Sequence, residues 1–314
     1  MELLAHPLLA DLRELDVTGG EPFLREDLPE LMSHVARLTR SNLGRLRSVA
    51  ITTNALLTGI VVPRVEQITA ELGRSGLDLV VVCALDGVGD VHDTVRNVPG
   101  AWSRLEQTLE GLRSLRARYD NLIVGLKTTI VPANVSQLDL IAEYAEANGH
   151  FTIVSPFIVT AGRYRNADLA DTLAFGEDDV AAMLRFYRTR GGGWDYHREA
   201  MIAYLETGRT RRPCSCGLNY LFVRSTGRVL LCPLSGIDVG DLKDGSIGDI
   251  WTSRASRRLR RGIGHFPECG RCTEPGLERY ALPFEGRAYL SLLPRLGPER
   301  FLAAHRHMGL DKYL

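Results

Sequence analysis

Leu15-Asp16-Val17-Thr18-Gly19-Gly20-Glu21-Pro22-Phe23-Leu24-Arg25 opens on alternating apolar residues and closes on two glycines, a carboxylate and a proline. The alternation predicts a short strand over 15–18. Two glycines at its carboxyl end let the backbone come close to a ligand. Asp27-Leu28-Pro29-Glu30 then supplies a cap, a first-turn proline and a reciprocal glutamate. Leu28, Leu31, Met32, Val35 and Leu38 form the apolar stripe of the helix that follows. The same alternation recurs downstream. Strands are predicted over 49–53, 78–85, 122–131 and 151–154, with helices over 63–72, 102–112 and 136–147. The last helix stops at Asn148-Gly149. Five strands separated by helices predict a mostly parallel α/β sheet, open or partly closed into a barrel. Ligands of such folds lie at the carboxyl ends of the strands. Those ends are Thr18-Gly19-Gly20-Glu21, Thr52-Thr53-Asn54, Asp86-Gly87 and Lys127-Thr128-Thr129.

The 314 residues suffice for one large domain or two ordinary ones, and 45% hydrophobic with 24% charged residues is a globular composition. The 38 basic and 38 acidic side chains cancel, so no whole-protein argument for nucleic-acid or anionic-membrane binding exists. The longest apolar run, over 79–85, is too short to span a bilayer, and no basic-then-apolar leader precedes it. A cytoplasmic protein with no membrane or nucleic-acid partner is the expectation. Only Lys127, Lys243 and Lys312 are lysines; the other basic residues are arginines, and Arg254, Arg257, Arg258, Arg260 and Arg261 cluster in what reads as a solvated helix face.

Six cysteines are unevenly placed. Cys83 lies in an apolar strand-like run and reads as a small buried hydrophobe. Cys214, Cys216, Cys232, Cys269 and Cys272 crowd together without a secretory context for disulfides. A CxxC turn aims two thiolates at one ion, and cysteines from two loops complete a four-thiolate site for zinc or an iron–sulfur cluster. A hairpin is predicted around the turn Ser225-Thr226-Gly227. His197, His305 and His307 read as surface or packing histidines, and no Ser-His-Asp or paired-carboxylate set is recognisable, so no catalytic residue is assigned.

The opening motif resembles the glycine–glycine–glutamate–proline motif of the radical SAM superfamily. Ile51-Thr52-Thr53-Asn54-Ala55, Leu85-Asp86-Gly87 and His92-Asp93-Thr94-Val95-Arg96 through Pro99-Gly100 resemble its next strand motifs, in order. Cys216, Gly227 and Cys232 resemble the opening of the SPASM extension. The resemblance implies a partial (β/α)6-type radical SAM barrel, its first strand missing, with a small cysteine-rich C-terminal domain. The implied boundaries are a core over 1–160, a linker with helices over 161–213, an auxiliary-cluster domain over 214–275 and a helical tail over 276–314. It implies S-adenosylmethionine at Gly19, Gly20, Glu21 and Pro22, with Asn54, Asp86, Arg96 and Lys127 lining the cleft. It also implies one auxiliary 4Fe–4S cluster, with zinc as the alternative, on Cys216, Cys232, Cys269 and Cys272; Cys214 rivals Cys216.

Departures accompany the likeness. Alanine stands at 55 and asparagine at 97, where the superfamily often has glycine, and alanine at 84, where it often has serine. The superfamily's CxxxCxxC, whose three cysteines hold the SAM-cleaving cluster, occurs nowhere in these 314 residues. The expectation is therefore a radical SAM/SPASM-type oxidoreductase or peptide-modifying maturase lacking its N-terminal segment. Such an enzyme acts on a peptide or small-molecule substrate and draws electrons from a flavodoxin or ferredoxin. Alternatives are a degenerate binding or accessory homologue that keeps only the C-terminal metal site, and a zinc-site module joined to an unrelated α/β domain.

Overall fold

The computed structural model describes residues 2–160, 164–190, 195–209, 214, 216–234 and 236–274, with short pieces at 290, 293–294, 297–299 and 301–302. The chain divides into two compact units, one of residues 1–129 and 136–154, the other of 130–135 and 155–314. The helical tail expected over 276–314 lies largely outside the described residues, and His305 and His307 with it.

The first unit runs α1 (Glu2–Ala5), β1 (Glu14–Val17), α2 (Leu28–Leu38), β2 (Ser48–Thr53), α3 (Thr58–Gly73), β3 (Asp78–Ala84), α4 (Asp90–Arg96), α5 (Ala101–Arg116), β4 (Leu122–Ile130), α6 (Leu138–Ala147) and β5 (Phe151–Pro156). The strands lie in the order β1-β2-β3-β4-β5, and the β1–β2, β2–β3 and β3–β4 pairs are parallel. Sequential order with helical crossovers is the progression of a barrel wall, in which each new strand joins the growing edge. Val49, Ile51, Leu79, Val81, Cys83, Val124 and Leu126 all point to one face and pack with Met32, Val65, Leu72, Leu109 and Leu112 of the helices. Strand alternation sends Thr52, Ala84 and Lys127 to the other face. Gly125 also lies there, and a side chain on it would collide with the Phe151 ring. Cys83 is fully buried, and burial pushes its thiol up to about 12, so it behaves as the small hydrophobe its neighbours predict.

Local differences from the sequence reading have physical causes. Asp27 stands at the N-cap of α2, but its carboxylate takes the Arg25 guanidinium at 2.5 and 2.8 Å, leaving the helix without a side-chain cap. Helix α3 starts before Pro63, which lies inside it. A proline removes its own N–H bond toward the Gly59 carbonyl and crowds that carbonyl, yet the other bonds of α3 carry the helix through it. Helix α4 was not anticipated as an element; its left-handed C-cap is Asn97, at φ 52°. Ala55 is also left-handed, at φ 59°. The two positions where this chain departs from glycine are thus two positions where the backbone asks for it.

Asparagine tolerates that region; alanine is strained there by about 1–2 kcal/mol. Hydrogen bonds hold Ala55 in place: its N–H donates to Thr53 Oγ1 at 3.0 Å and its carbonyl accepts from Thr108 Oγ1 at 2.7 Å. Ala55→Gly relieves strain but loses a buried methyl and gains unfolded-state entropy, so stability should stay within about 1 kcal/mol of wild type. Ala55→Val, β-branched in a closed left-handed site, should lose more than about 2 kcal/mol in urea unfolding. Equal stability of the two variants would contradict this account.

In the second unit, α7 (Glu177–Thr189) packs on α8 (Asp195–Thr207) through Met183, Phe186, Tyr187 and Met201, with Arg188 on Glu206 at 2.6 Å. His197 is buried edge-on to Tyr187, a packing histidine as expected. The predicted hairpin is present as β6 (Phe222–Val223) and β7 (Arg228–Leu230), joined by β8 (Asp238–Asp241) into an antiparallel sheet. Two short helices, α9 (Ile247–Thr252) and α10 (Arg254–Arg260), precede a 3-10 turn over Pro267–Arg271.

Candidate functional site

Parallel strands present their carboxyl ends together, and in the first unit the motif residues collect there. Glu21 turns back onto the end of β2. Its carboxylate accepts from Phe23 N at 3.1 Å, from Thr53 Oγ1 at 2.9 and 3.0 Å, and from Asn54 N at 2.7 Å. Glu21 therefore anchors the glycine loop, and Pro22 behind it is buried. Gly19 and Gly20 are exposed, and a Cβ added to either meets nothing within 4 Å. Gly87 differs: a Cβ there would lie 2.7 Å from Val91 Cγ1 and 2.9 Å from His92 N, so close packing alone demands that glycine. Among the described residues no contact demands glycine at 19 or 20.

Asp86 and Arg96 come together at the end of β3, with Arg96 Nη2 2.5 Å from Asp86 Oδ2. The other Asp86 oxygen accepts the Thr129 N–H at 2.9 Å, which ties β3 to β4. The Asp86 N–H donates to His92 Nδ1 at 3.1 Å. His92 is wholly buried, edge-on to Trp102, and burial followed by the Arg96 charge holds its imidazole below the ordinary range. Asp93 accepts from Gly100 N at 2.6 Å and Trp102 N at 2.7 Å, capping α5 in place of its own N-cap residue, Gly100. The stretch His92-Asp93-Thr94-Val95-Arg96 is thus a knot that fixes the ends of β3, α4 and α5. Sequence spacing flags the stretch but gives no sign of which side chain meets Asp86, and it places Thr129 at a strand end without linking it to Asp86. Asn54 Oδ1 accepts from Leu56 N at 2.9 Å, and Lys127 stands beside Ala84 in register, half-buried on the face away from the helices.

The second unit gathers cysteines. The Cys216 thiol, 1% exposed, hydrogen-bonds with the sulfurs of Cys214 and Cys232. Those contacts push Cys216 strongly up, while Cys214, accepting from Cys216, falls to about 7. Burial raises Cys269, with the charges of Cys214 and Cys232 adding to the effect. Cys272 closes the 3-10 turn, half-buried, its N–H donating to Cys269 O at 3.3 Å. The loop that carries Cys216 is pressed close: a Cβ on Gly217, left-handed at φ 69°, would lie 3.0 Å from Leu231 Cβ, one residue before Cys232. All six cysteines are free thiols. Among the described residues no three His, Cys, Asp or Glu side chains form a ready-spaced site for a single ion. Cys214, Cys216 and Cys232 meet, Cys269 is near enough to feel the charges of Cys214 and Cys232, and thiols of this kind are the soft donors that an iron–sulfur cluster takes.

Residues 214–273 match the SPASM family, an iron–sulfur cluster-binding domain. The chain is 35% identical over 149 residues to the pre-heme d1 synthase of Dinoroseobacter shibae, covering 48% of this chain and 32% of that one. It is 26% identical over 278 residues to the AdoMet-dependent heme synthase of Oleidesulfovibrio alaskensis, covering 81% of this chain and 66% of that one. The chain thus spans between a third and two thirds of the length of these curated relatives. Among solved structures, Streptococcus suis SuiB bound to S-adenosylmethionine superposes with a TM-score of 0.52 at 13% identity, over 79% of this chain and 56% of SuiB. That likeness establishes the fold.

Proposed function

We propose that the chain is a radical SAM-type protein with a SPASM extension, whose first unit binds S-adenosylmethionine on the Gly19-Gly20-Glu21-Pro22 loop. The second unit, in the same reading, binds one auxiliary 4Fe–4S cluster. The observation that carries the reading is the pair of glycines at 19 and 20. Their open Cβ positions meet no group among the described residues, whereas a ligand seated against the strand-end backbone needs that space. Glu21 holds the loop to β2, so the backbone is set before a ligand arrives. Asn54, Asp86, Arg96 and Lys127 supply polar groups along the neighbouring strand ends.

S-adenosylmethionine, when reduced by one electron at a three-cysteine cluster, supplies a 5′-deoxyadenosyl radical that takes a hydrogen atom from substrate. The residues of this chain bind and orient; the 314 residues contain no CxxxCxxC to hold that cluster. In the second unit Cys216, Cys232, Cys269 and Cys272, with Cys214 as the rival of Cys216, would hold the auxiliary cluster, and full thiolate ligation suits electron transfer or a structural role. The substrate is a peptide or a small molecule, and the heme-synthase names of the relatives favour the small molecule. A flavodoxin or ferredoxin as electron donor and a cytoplasmic location complete the reading; no described helix is long and apolar enough to cross a membrane.

Gly20→Val tests the glycine loop. A Cβ at this exposed position meets no described group within 4 Å, so unfolding stability should stay within about 1 kcal/mol of wild type. S-adenosylmethionine binding, followed by equilibrium dialysis, should weaken at least about tenfold. Unchanged binding would overturn the assignment of this loop.

A further inference from the structure

Three thiols of the second unit meet at one sulfur. Cys216 is buried, and its sulfur hydrogen-bonds with those of Cys214 and Cys232, both half-buried. Backbone contacts hold Cys216 and Cys232 in place. Next to Cys216, Gly217 is left-handed at φ 69°, and its N–H donates to Tyr220 O at 2.7 Å. Cys216 itself forms a bridge with Tyr220. Cys232 follows Val229 and Leu230 of β7 and then Leu231, all three buried. The two segments touch beside the cysteines: a Cβ on Gly217 would lie 3.0 Å from Leu231 Cβ. The approach of Gly217 to Leu231 carries the adjoining Cys216 and Cys232 together.

A disulfide needs sulfurs about 2 Å apart on Cβ atoms about 4 Å apart. Sulfurs already in hydrogen-bonding contact reach that by side-chain rotation, with no movement of the buried backbone on either side. The Cys214–Cys216 pair is different. Only one residue separates them, and a disulfide across it closes a small ring that strains the backbone and is readily reduced. Cys232 is also the more open member of its pair, so an oxidant meets it first and leaves Cys216 behind it to respond.

We propose that Cys216 and Cys232 are a redox modification site, forming a reversible disulfide under attack by hydrogen peroxide or an organic hydroperoxide. In the first step the Cys232 sulfur attacks the peroxide. The O–O bond breaks, Cys232 becomes a sulfenic acid, and water or an alcohol leaves. In the second step the Cys216 sulfur attacks the Cys232 sulfur. The S–S bond forms, the S–O bond breaks, and a second water leaves. Two thiols thereby lose two electrons and two protons, and the peroxide takes both. A sulfenic acid with no neighbouring thiol goes on to sulfinic and sulfonic acids, which thiol reductants do not reverse. The pair stops oxidation at a stage that they do reverse. A disulfide sulfur has no thiolate to give a metal, so oxidation and metal ligation exclude one another at these residues. The inference concerns the thiols alone and holds whether the metal they take is iron or zinc.

The test is disulfide mapping of the full chain, reduced, freed of metal with a chelator and then treated with stoichiometric hydrogen peroxide. The chain should lose two of its six thiols, and non-reducing peptide mass spectrometry should find Cys216 joined to Cys232. Dithiothreitol should restore both thiols. Cys214→Ser should keep the link. Cys83, wholly buried in the other unit, should stay reduced throughout. Sulfinic acid on Cys232 in the wild-type chain, a Cys214–Cys216 or Cys269–Cys272 disulfide as the main product, loss of the link in Cys214→Ser, or no loss of thiols would each overturn the proposal. Iron content plays no part in this readout, so failure of the auxiliary-cluster reading and failure of the disulfide are told apart.

Discussion

Cys232→Ser should reduce the iron bound by anaerobically reconstituted protein from about four atoms per chain to less than one. Cys232 is the junction of the cysteine group: it touches Cys216, and its charge is felt at Cys214 and Cys269. The segment around it, residues 214–273, is small, with strands of two to four residues and helices of six and seven. So little apolar burial makes ligand binding a large part of the folding free energy, on the order of 10 kcal/mol for comparable metal-thiolate sites. The serine variant should therefore also expose residues 214–273 to limited proteolysis. Cys83→Ala supplies the control: it removes a wholly buried thiol from the helix-facing core and should leave the iron content unchanged. Iron retained in full by Cys232→Ser would remove this residue from the ligand set.

Asp86→Ala should lower the stability of the first unit by about 3 kcal/mol in urea unfolding. The Asp86 carboxylate is 6% exposed and serves Arg96 and the Thr129 N–H at once. Its loss strands a guanidinium that is 27% exposed and frees a backbone donor at the end of β4. Arg96→Ala should cost less, about 1–2 kcal/mol, because the carboxylate keeps the Thr129 bond. The double variant should lose less than the two single losses added, since both remove the same contact. Strict additivity, or a loss of under about 0.5 kcal/mol for Asp86→Ala, would show that the pair is not the clasp described here.

What was legible in the sequence follows from which signals are periodic and which are contingent. Strand alternation and the three-four repeat of the helices located all five strands of the first unit, because burial on one face enforces those periods over several residues. Helix ends were read less well. Asp27 has the chemistry of a cap, but Arg25 two residues away competes for the same carboxylate, and the ion pair wins. Pro63 reads as a first-turn residue, yet α3 begins at Thr58 and runs through it at the loss of one bond. Asn97 and Ala55 appeared as mere departures from a motif; only the backbone angles show why glycine is usual at those points. Contacts between distant segments are not written in any local pattern. The meeting of Glu21 with Thr53, or of Asp86 with Arg96 and Thr129, is set by strand register, and register is a property of the sheet. The cysteine spacing likewise left Cys214 and Cys216 as rivals, whereas the structure brings both into one thiol group.

The measurement that bears most directly on the account is the iron and acid-labile sulfide content of the 314-residue chain after anaerobic reconstitution, with zinc determined on the same sample. The account predicts about four iron and four sulfide per chain, negligible zinc, and loss of both iron and sulfide in Cys232→Ser. One zinc per chain with no sulfide would contradict it. The C-terminal cysteines would then form a structural zinc site, and the auxiliary-cluster role proposed for the second unit would fall.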